Sequence, residues 1–514
     1  MGSPSAARSR RRSAGQLHAL AGLQREIQAT DPNGRRKYLR DFSEAFREYE
    51  SLLSMAQVEG ELCQADVVLV GDYHALPASQ LFAARILDRI SQSGRPVVLG
   101  LETIFARDQH ILDEWVRGEI DDDELRERIR FDRDWGYDWE PFRALLVAAR
   151  HHAREIYGLD CMPRDDLRKI ARRDRHAAQK IAEIMRRHPN AIVVALFGES
   201  HLAPNHIPEV LRIALPDAGV VTVLQNMDHL YWRAAGERRE HVEAVRVESD
   251  VICVFNATPL EKYESYRQCI ERWREESSEP DLAPTFYNLV DALARFLNID
   301  KYATHNGTQP VYLVDRMPEV YSRPSDDAMR KLLMRKGARD EELREILTRI
   351  ESGGCCYVPR MNTIFVRQFQ MVGGAEEAAR FVHQACRPAA ACGEPENREE
   401  LFYTRVFEHA LGYFSSRLLY PARPAVRGFD LGVLSSSLPD AGGWNCSTGA
   451  TFCSATENLG YMLGSELYDA YVAGNVTKRY IRSLFFRKLS GPAAQQLCMQ
   501  IARKYRSPRG KTLP

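Results

Sequence analysis

Two histidines stand at the same offset from a glycine that closes an apolar run. Gly71-Asp-Tyr-His74 follows Ala65-Asp-Val-Val-Leu-Val70, and Gly198-Glu-Ser-His201 follows the seven apolar residues 191–197. Between them, Gly100-Leu-Glu-Thr103 puts Glu102 at the end of a third apolar run, Pro96-Val-Val-Leu-Gly-Leu101. Imidazole nitrogens and a carboxylate can hold a first-row transition metal or poise a general base. His74, Glu102 and His201 are therefore the candidate metal ligands. They are also the candidate catalytic groups of a metal-dependent hydrolase, in which Glu102 or His74 would take a proton from the water attacking an ester or amide carbonyl. Asp72 and Glu199, inside the two motifs, are read either as partners that orient the imidazoles or as caps of the helices that follow.

For these residues to meet, the runs that carry them must be neighbouring strands of one sheet. Strand patterns at 65–70, 96–101, 156–159, 191–197, 220–224 and 251–255 alternate with helical spacing at 79–90, 108–116, 122–130, 141–152, 165–187, 208–213 and 260–275. That alternation predicts an α/β fold with a mainly parallel sheet and right-handed βαβ crossovers. The fully apolar run 191–197 is expected to be central. In an open parallel sheet the C-terminal strand ends share one edge, where ligands bind. Glycine after each strand is expected to turn the chain sharply so that the histidine points back over that edge.

Beyond a polar, proline-bearing stretch at 275–280 the strands thin out, and helical patterns follow at 286–297, 326–336, 340–350, 375–385, 398–418 and much of 457–504. The expected organisation is a basic, disordered or helical extension over 1–50, an α/β domain over 51–279, and a mostly α-helical C-terminal region over 280–514. No role is readable for that last region, whose His383 and His409 sit on apolar helical patterns and read as ordinary core or surface histidines. HExxH, GxSxG, Walker A and GxGxxG patterns are absent.

With 514 residues the chain can build several cores. Seventy basic residues balance seventy acidic ones, which argues against a protein that coats nucleic acid by bulk charge. Residues 1–40 nevertheless hold nine Lys and Arg against Glu26 and Asp31, which reads as a solubilising tail. The longest strongly apolar run has seven residues, against the roughly 20 needed to span a bilayer. Eleven scattered cysteines without a CxxC pair suit reduced thiols, and the expected location is cytoplasmic.

The run Val68-Leu-Val-Gly-Asp-Tyr-His74, then Gln80, Leu99-Gly-Leu-Glu102 and Gln109, resembles the ChaN-like haem-binding uptake family of the Tiki superfamily, which also includes erythromycin esterases and Tiki-type metalloproteases. Trp135-Gly-Tyr-Asp-Trp139, Gly158-Leu-Asp160, Arg173-Asp174 and Phe197-Gly-Glu-Ser-His201 continue the order, so the resemblance covers about residues 60–275. It implies a cleft lined by both GxxH motifs and the strand-end glutamate, with haem or a divalent transition metal ion as cofactor. On this reading the chain is a haem- or iron-binding protein, with His74, Tyr73, Tyr137 and His201 as cofactor-binding residues. Trp135 and Trp139 would add aromatic walls and His110 a spare ligand, and the arginines of the 165–187 helix could meet haem propionates. The alternatives are the hydrolase just described, acting on a small molecule or peptide, and a non-catalytic interaction protein that kept the fold. A homo-oligomer is compatible with all three.

Overall fold

In the computed structural model, the described residues are 4–30, 42, 44–162, 170–237, 242–275, 281–302, 313–322, 325–335, 337–338, 340–387, 398–421, 423–426, 450–487, 489 and 492–505. The polar stretch at 276–280 and the helix positions Arg168 and Lys169 lie outside them. The chain divides into two compact units, residues 26–277, and residues 1–25 together with 278–514. The basic segment read as a tail is a helix over Pro4–Thr30, with Ala19, Leu20, Leu23 and Ile27 buried. The apolar spacing that buries them was present beneath the arginines.

The 26–277 unit is built on eight strands: β1 Ser51–Leu53, β2 Val67–Asp72, β3 Val97–Phe105, β4 Glu155–Asp160, β5 Ile192–Gly198, β6 Val220–Gln225, β7 Ala244–Glu248 and β8 Val251–Val254. Their order across the sheet is β1-β7-β8-β6-β2-β5-β3-β4. The pairs from β8 to β4 are parallel, and the antiparallel β7 and β1 close one edge. The fold class read from the alternating pattern is the one observed. The two antiparallel strands were missed because three to five residues carry too little periodicity.

Alternate residues of β2 enter different cores. Val68 and Val70 pack with Phe82, Ile86 and Leu145 from the helices Pro77–Ser91 and Trp139–His152. Val67 and Leu69 pack with Ala177, Ile181 and Leu211 from Ile170–Arg187 and Ile207–Ala214 on the other face. β5 splits likewise, Val194 and Leu196 to one side and Val193 and Phe197 to the other. Burial on both faces is why these strands read as unbroken apolar runs.

The chain moves from β2 outward to β3 and β4, and then returns to lay β5 between β2 and β3 before β6 takes the opposite side of β2. This reversal of direction opens a crevice at the strand C-termini, where ligands of open α/β sheets bind. β3 runs on to Phe105 and does not end at Glu102 as the sequence suggested. Its pairing with β5 stops at Leu101, and its register with β4 shifts between Leu101 and Phe105. The irregularity re-aims Glu102 at the sheet edge.

The other unit is mainly helical, with Ala283–Leu297, Met371–Cys386, Arg398–Leu419 and Ala450–Ala473 among its longer helices. It also holds a three-stranded sheet absent from the sequence reading: β9 Glu319–Ser322, β10 Cys355–Val358 and β11 Thr363–Val366. Each strand is four residues long, too short to stand out between helical patterns. Among the described residues no helix is long and apolar enough to cross a membrane, and the nine cysteines described are all free.

Both cores of the eight-stranded unit draw only on residues 42–255. A fragment of residues 26–277 is expected to fold and to unfold in one cooperative urea transition. A fragment that shows no such transition would mean that these cores need the rest of the chain.

Candidate functional site

The site lies on four adjacent strands, β4, β3, β5 and β2, in that spatial order. Asp160 ends β4, Glu102 leaves β3 at its irregularity, Gly198 ends β5, and Asp72 ends β2. Asp72 is buried. Its Oδ2 lies 2.8 Å from His74 Nδ1, and its Oδ1 accepts a hydrogen bond from the Gln80 amide. His201, on the short turn after β5, sits with Nδ1 2.5 Å from Asp174 Oδ1. Asp174 Oδ2 meets a third histidine, His206, at 2.7 Å. Each motif histidine is thus oriented through Nδ1 by a buried carboxylate. Of the alternatives for Asp72, orientation of the imidazole is the one realised.

The opposite ring nitrogens face one residue. His74 Nε2 is 3.9 Å from Glu102 Oε2, and His201 Nε2 is 3.8 Å from Glu102 Oε1. Glu102 Oε2 also accepts the Gly198 N–H at 2.5 Å, and Oε1 accepts from Arg173 Nη2 at 2.5 Å. Arg173 donates through Nε and Nη2 to both oxygens of Asp160, each at 2.9 Å, and its Nη1 stands 3.5 Å from His201 Nε2. Arg173 is 6% exposed, and its guanidinium lies between Glu102, Asp160 and His201.

Burial on its own would raise the Glu102 carboxyl pKa, but facing His74, His201, Arg173 and the Gly198 amide brings it down to about 2. Burial likewise opposes the charge on Arg173, and Glu102 and Asp160 more than restore it, raising its pKa. Asp174 is lowered despite its burial, by hydrogen bonds from His201 and His206. Glu102 is therefore a fixed anion at neutral pH and a poor proton acceptor. Of the two bases considered for an attacking water, that leaves His74.

The same geometry bears on a metal ion. Both Glu102 oxygens are committed to donors, and a permanent cation sits beside His201 Nε2. Among the described residues no group of three His, Cys, Asp or Glu is arranged to hold an ion. A divalent cation at His74, Glu102 and His201 would have to displace or repel Arg173, so these residues do not fit one. Haem requires an accessible axial donor. Burial first, then Glu199, raises the Tyr73 phenol pKa, and burial raises that of Tyr137, so neither favours the phenolate an iron would bind. His201 is 6% exposed. His74, with 21% of its side chain exposed, is the candidate that fits.

Gly198 serves a different purpose from the one expected. Neither Gly71 nor Gly198 has a positive φ, so neither makes a left-handed turn. A Cβ on Gly198 would stand 3.1 Å from Glu102 Oε2 and 3.2 Å from His74 Nε2. Its value is the close approach of backbone to the site.

Trp135 and Tyr137 pack on the His74 ring at 4.4 and 5.2 Å, while Trp139 belongs to the core with Phe131 and Phe142. His110 is exposed on the Gln109–Val116 helix. Glu199 lies 3.4 Å from Lys262, which also sits over the Tyr73 ring. Arg173 and Asp174 belong to a segment that carries the resemblance but were given no place in the His74, Glu102 and His201 set, and His206, with Lys262, Tyr266 and Trp273 of the Pro259–Glu275 helix, was not singled out. In the other unit, His409 Nδ1 meets Arg380 at 2.8 Å. His383 is buried with Nε2 unpartnered among the described residues, and burial holds its pKa at about 3.

Residues 58–177 match the family model described as haem-binding uptake, Tiki superfamily, ChaN. The resemblance read from the motifs is thus found over the first GxxH, Glu102 and Arg173, while His201 lies outside the matched range. Among solved structures, the chain is similar to "Cofacial heme binding to ChaN of Campylobacter jejuni", with 16% identity, 34% of this chain and 86% of that chain covered, and a TM-score of 0.27. It is also similar to the type III effector HopBA1, with 10% identity, 41% and 96% covered, and a TM-score of 0.32. No curated protein matches.

Two outcomes follow from Glu102. Its folded pKa lies below the ordinary 4.5, so its charge contributes stability above pH 4.5 that is lost as pH falls towards 2, on the order of 3 kcal/mol. Denaturant midpoints measured from pH 7 to pH 2 should fall more steeply in wild type than in Glu102→Gln, and parallel curves would contradict the pinned anion. Gly198→Ala should cost about 1–3 kcal/mol by pushing on Glu102 and His74; an unchanged urea midpoint would remove the close-approach argument.

Proposed function

We propose that the crevice is a hydrolytic site working by general acid–base catalysis. The observation that carries this reading is the convergence of two carboxylate-oriented imidazoles on Glu102. Asp72 fixes the His74 ring through Nδ1, and the more open His74 takes the proton of an attacking water at Nε2. The Glu102 anion steadies the imidazolium that results. As the tetrahedral intermediate collapses, His74 gives that proton from Nε2 to the leaving group, while His201, held by Asp174, faces Glu102 from the other side. Arg173 keeps Glu102 ionised and in place without touching the substrate. The substrate is an ester or amide, attacked at its carbonyl carbon.

The test is a panel of activated esters and short peptides. His74→Ala should lower kcat roughly 10²–10⁴-fold with little loss of folding, since a sheet-edge residue contributes little to the core. Dialysis against a chelator should leave turnover unchanged, because no step uses a bound cation. Full activity in both His74→Ala and His201→Ala would sink the reading.

Haem binding is the second reading, favoured by the family match over residues 58–177. His74 would hold the iron, its Nδ1 already paired with Asp72 as in many metal-bound imidazoles. Haem would supply an iron centre to be carried or passed on. A Soret band that forms on titration with haem and disappears in His74→Ala would favour it, and a band unchanged in that variant would exclude His74 as the donor.

A further inference from the structure

Gln80 stands in the order of motif residues, yet no step above uses it. It lies near the start of the Pro77–Ser91 helix, at the head of the buried stripe Ala83, Ile86, Leu87 and Ile90 that packs with the sheet. Its side chain is 0% exposed. An apolar side chain of the same length would suit such surroundings. The amide instead directs its N–H to Asp72 Oδ1. Its own carbonyl oxygen is buried with no partner among the described residues. An orphaned buried oxygen is destabilising, so a residue that keeps one is there for its donor.

Asp72 shows what the donor does. Oδ1 takes the Gln80 amide, and Oδ2 lies 2.8 Å from His74 Nδ1. A carboxylate held at one oxygen cannot turn freely, so the other stays on the imidazole. A carboxylate only accepts, and the proton of the neutral ring therefore sits on Nδ1 and the lone pair on Nε2.

The glutamine is itself braced. Gln225, which ends β6, is 0% exposed and donates its amide to two carbonyls, Gly71 O at 2.7 Å and Ser79 O at 3.2 Å. Gly71 precedes Asp72, and Ser79 precedes Gln80. One side chain thus fixes the strand that carries the carboxylate against the helix that carries its donor. Asn256, just beyond β8, donates in turn to Gln225 Oε1 at 2.6 Å.

We infer that Gln80 is a positioning residue for the base. It holds Asp72 so that His74 keeps its proton on Nδ1 and its lone pair on Nε2, and Gln225 keeps Gln80 in register with Asp72. The consequence for turnover rests on the hydrolytic reading, whereas the tautomer does not.

Two measurements on the full chain test this. Nitrogen NMR of isotope-labelled histidine, with the His74 signals assigned by their loss in His74→Ala, should show the Nδ1–H form of the neutral ring in wild type. Gln80→Met keeps the length of the side chain and removes the donor. Checked for an unchanged circular dichroism spectrum, it should move the ring to a mixture of both forms. Its kcat on the ester panel should fall about 10–100-fold with KM unchanged. Asp72→Asn should lose at least as much, and adding Gln80→Met to it should cost nothing further, because the glutamine acts through the carboxylate. The Nε2–H form in wild type, an unchanged tautomer in Gln80→Met, or a full further loss in the double variant would overturn the inference. The wild-type spectrum alone can do so even where Gln80→Met does not fold. The two readings fail separately. A tautomer that shifts in Gln80→Met, in a protein that turns over no ester or peptide of the panel, supports the positioning role and removes the hydrolase. Equal turnover by wild type and Gln80→Met, with one tautomer in both, removes the positioning role and keeps the hydrolase.

Discussion

A buried guanidinium held between two carboxylates organises the strand-end crevice. Arg173 cannot leave water without partners, because an uncompensated buried charge costs about 3–5 kcal/mol. Its partners come from two different strands: Asp160 from β4 and Glu102 from β3. Glu102 then reaches the Gly198 amide on β5. One continuous chain of charge-assisted hydrogen bonds therefore crosses three neighbouring strands and anchors the start of the Ile170–Arg187 helix to the sheet edge. The register of β3 against β4 is irregular over this same stretch, between Leu101 and Phe105.

That constraint decides what the histidines can do. A carboxylate near a free imidazole pair could be a base, a ligand or a proton relay. Pinned between Arg173 and an amide, Glu102 keeps only its charge. The guanidinium fills the role that a metal ion would otherwise take, a fixed cation between Glu102 and His201, but it is covalently tethered and cannot polarise a substrate carbonyl as a Lewis acid would. On the proposed reading the proton passes to one of the imidazole pair instead. His74 is the member solvent reaches, and Asp72 has already set its ring.

Much of this was readable from sequence, and the failures have physical causes. The central strands announced themselves because burial on both faces leaves no polar interruption, and the paired glycine–histidine spacing marked two of the strand ends. Arg173-Asp174 stood among the segments that carry the resemblance, but its place beside Glu102 and His201 stayed hidden, because a helix presents Arg168, Lys169, Arg172, Arg173 and Arg175 as one basic run and composition does not say which of them turns inward. A signal was there to be used. Ala177, Ala178, Ile181 and Ala182 are buried, and continuing that stripe back by one helical turn lands on residues 173 and 174. Polar residues at the head of an apolar stripe are buried polar residues, and those need partners. Trp273 and Tyr266 had no such signal, since they lie far along the chain from the motifs and reach the crevice only through the packing of their helix.

The glycine of the second motif shows why the pattern is one object spread over three segments. Backbone at Gly198 passes so close to Glu102 and His74 that a methyl group would crowd both, and that proximity is what lets its amide complete the carboxylate's hydrogen bonds. The first motif supplies His74, the strand between supplies Glu102, and the second motif supplies the amide that fixes them and the second imidazole that faces them. None of the three has a reason for its residue types alone. A lone GxxH after a strand is a common accident, whereas a glycine whose Cβ space is taken by another motif's histidine and a third strand's carboxylate is explained by their shared site.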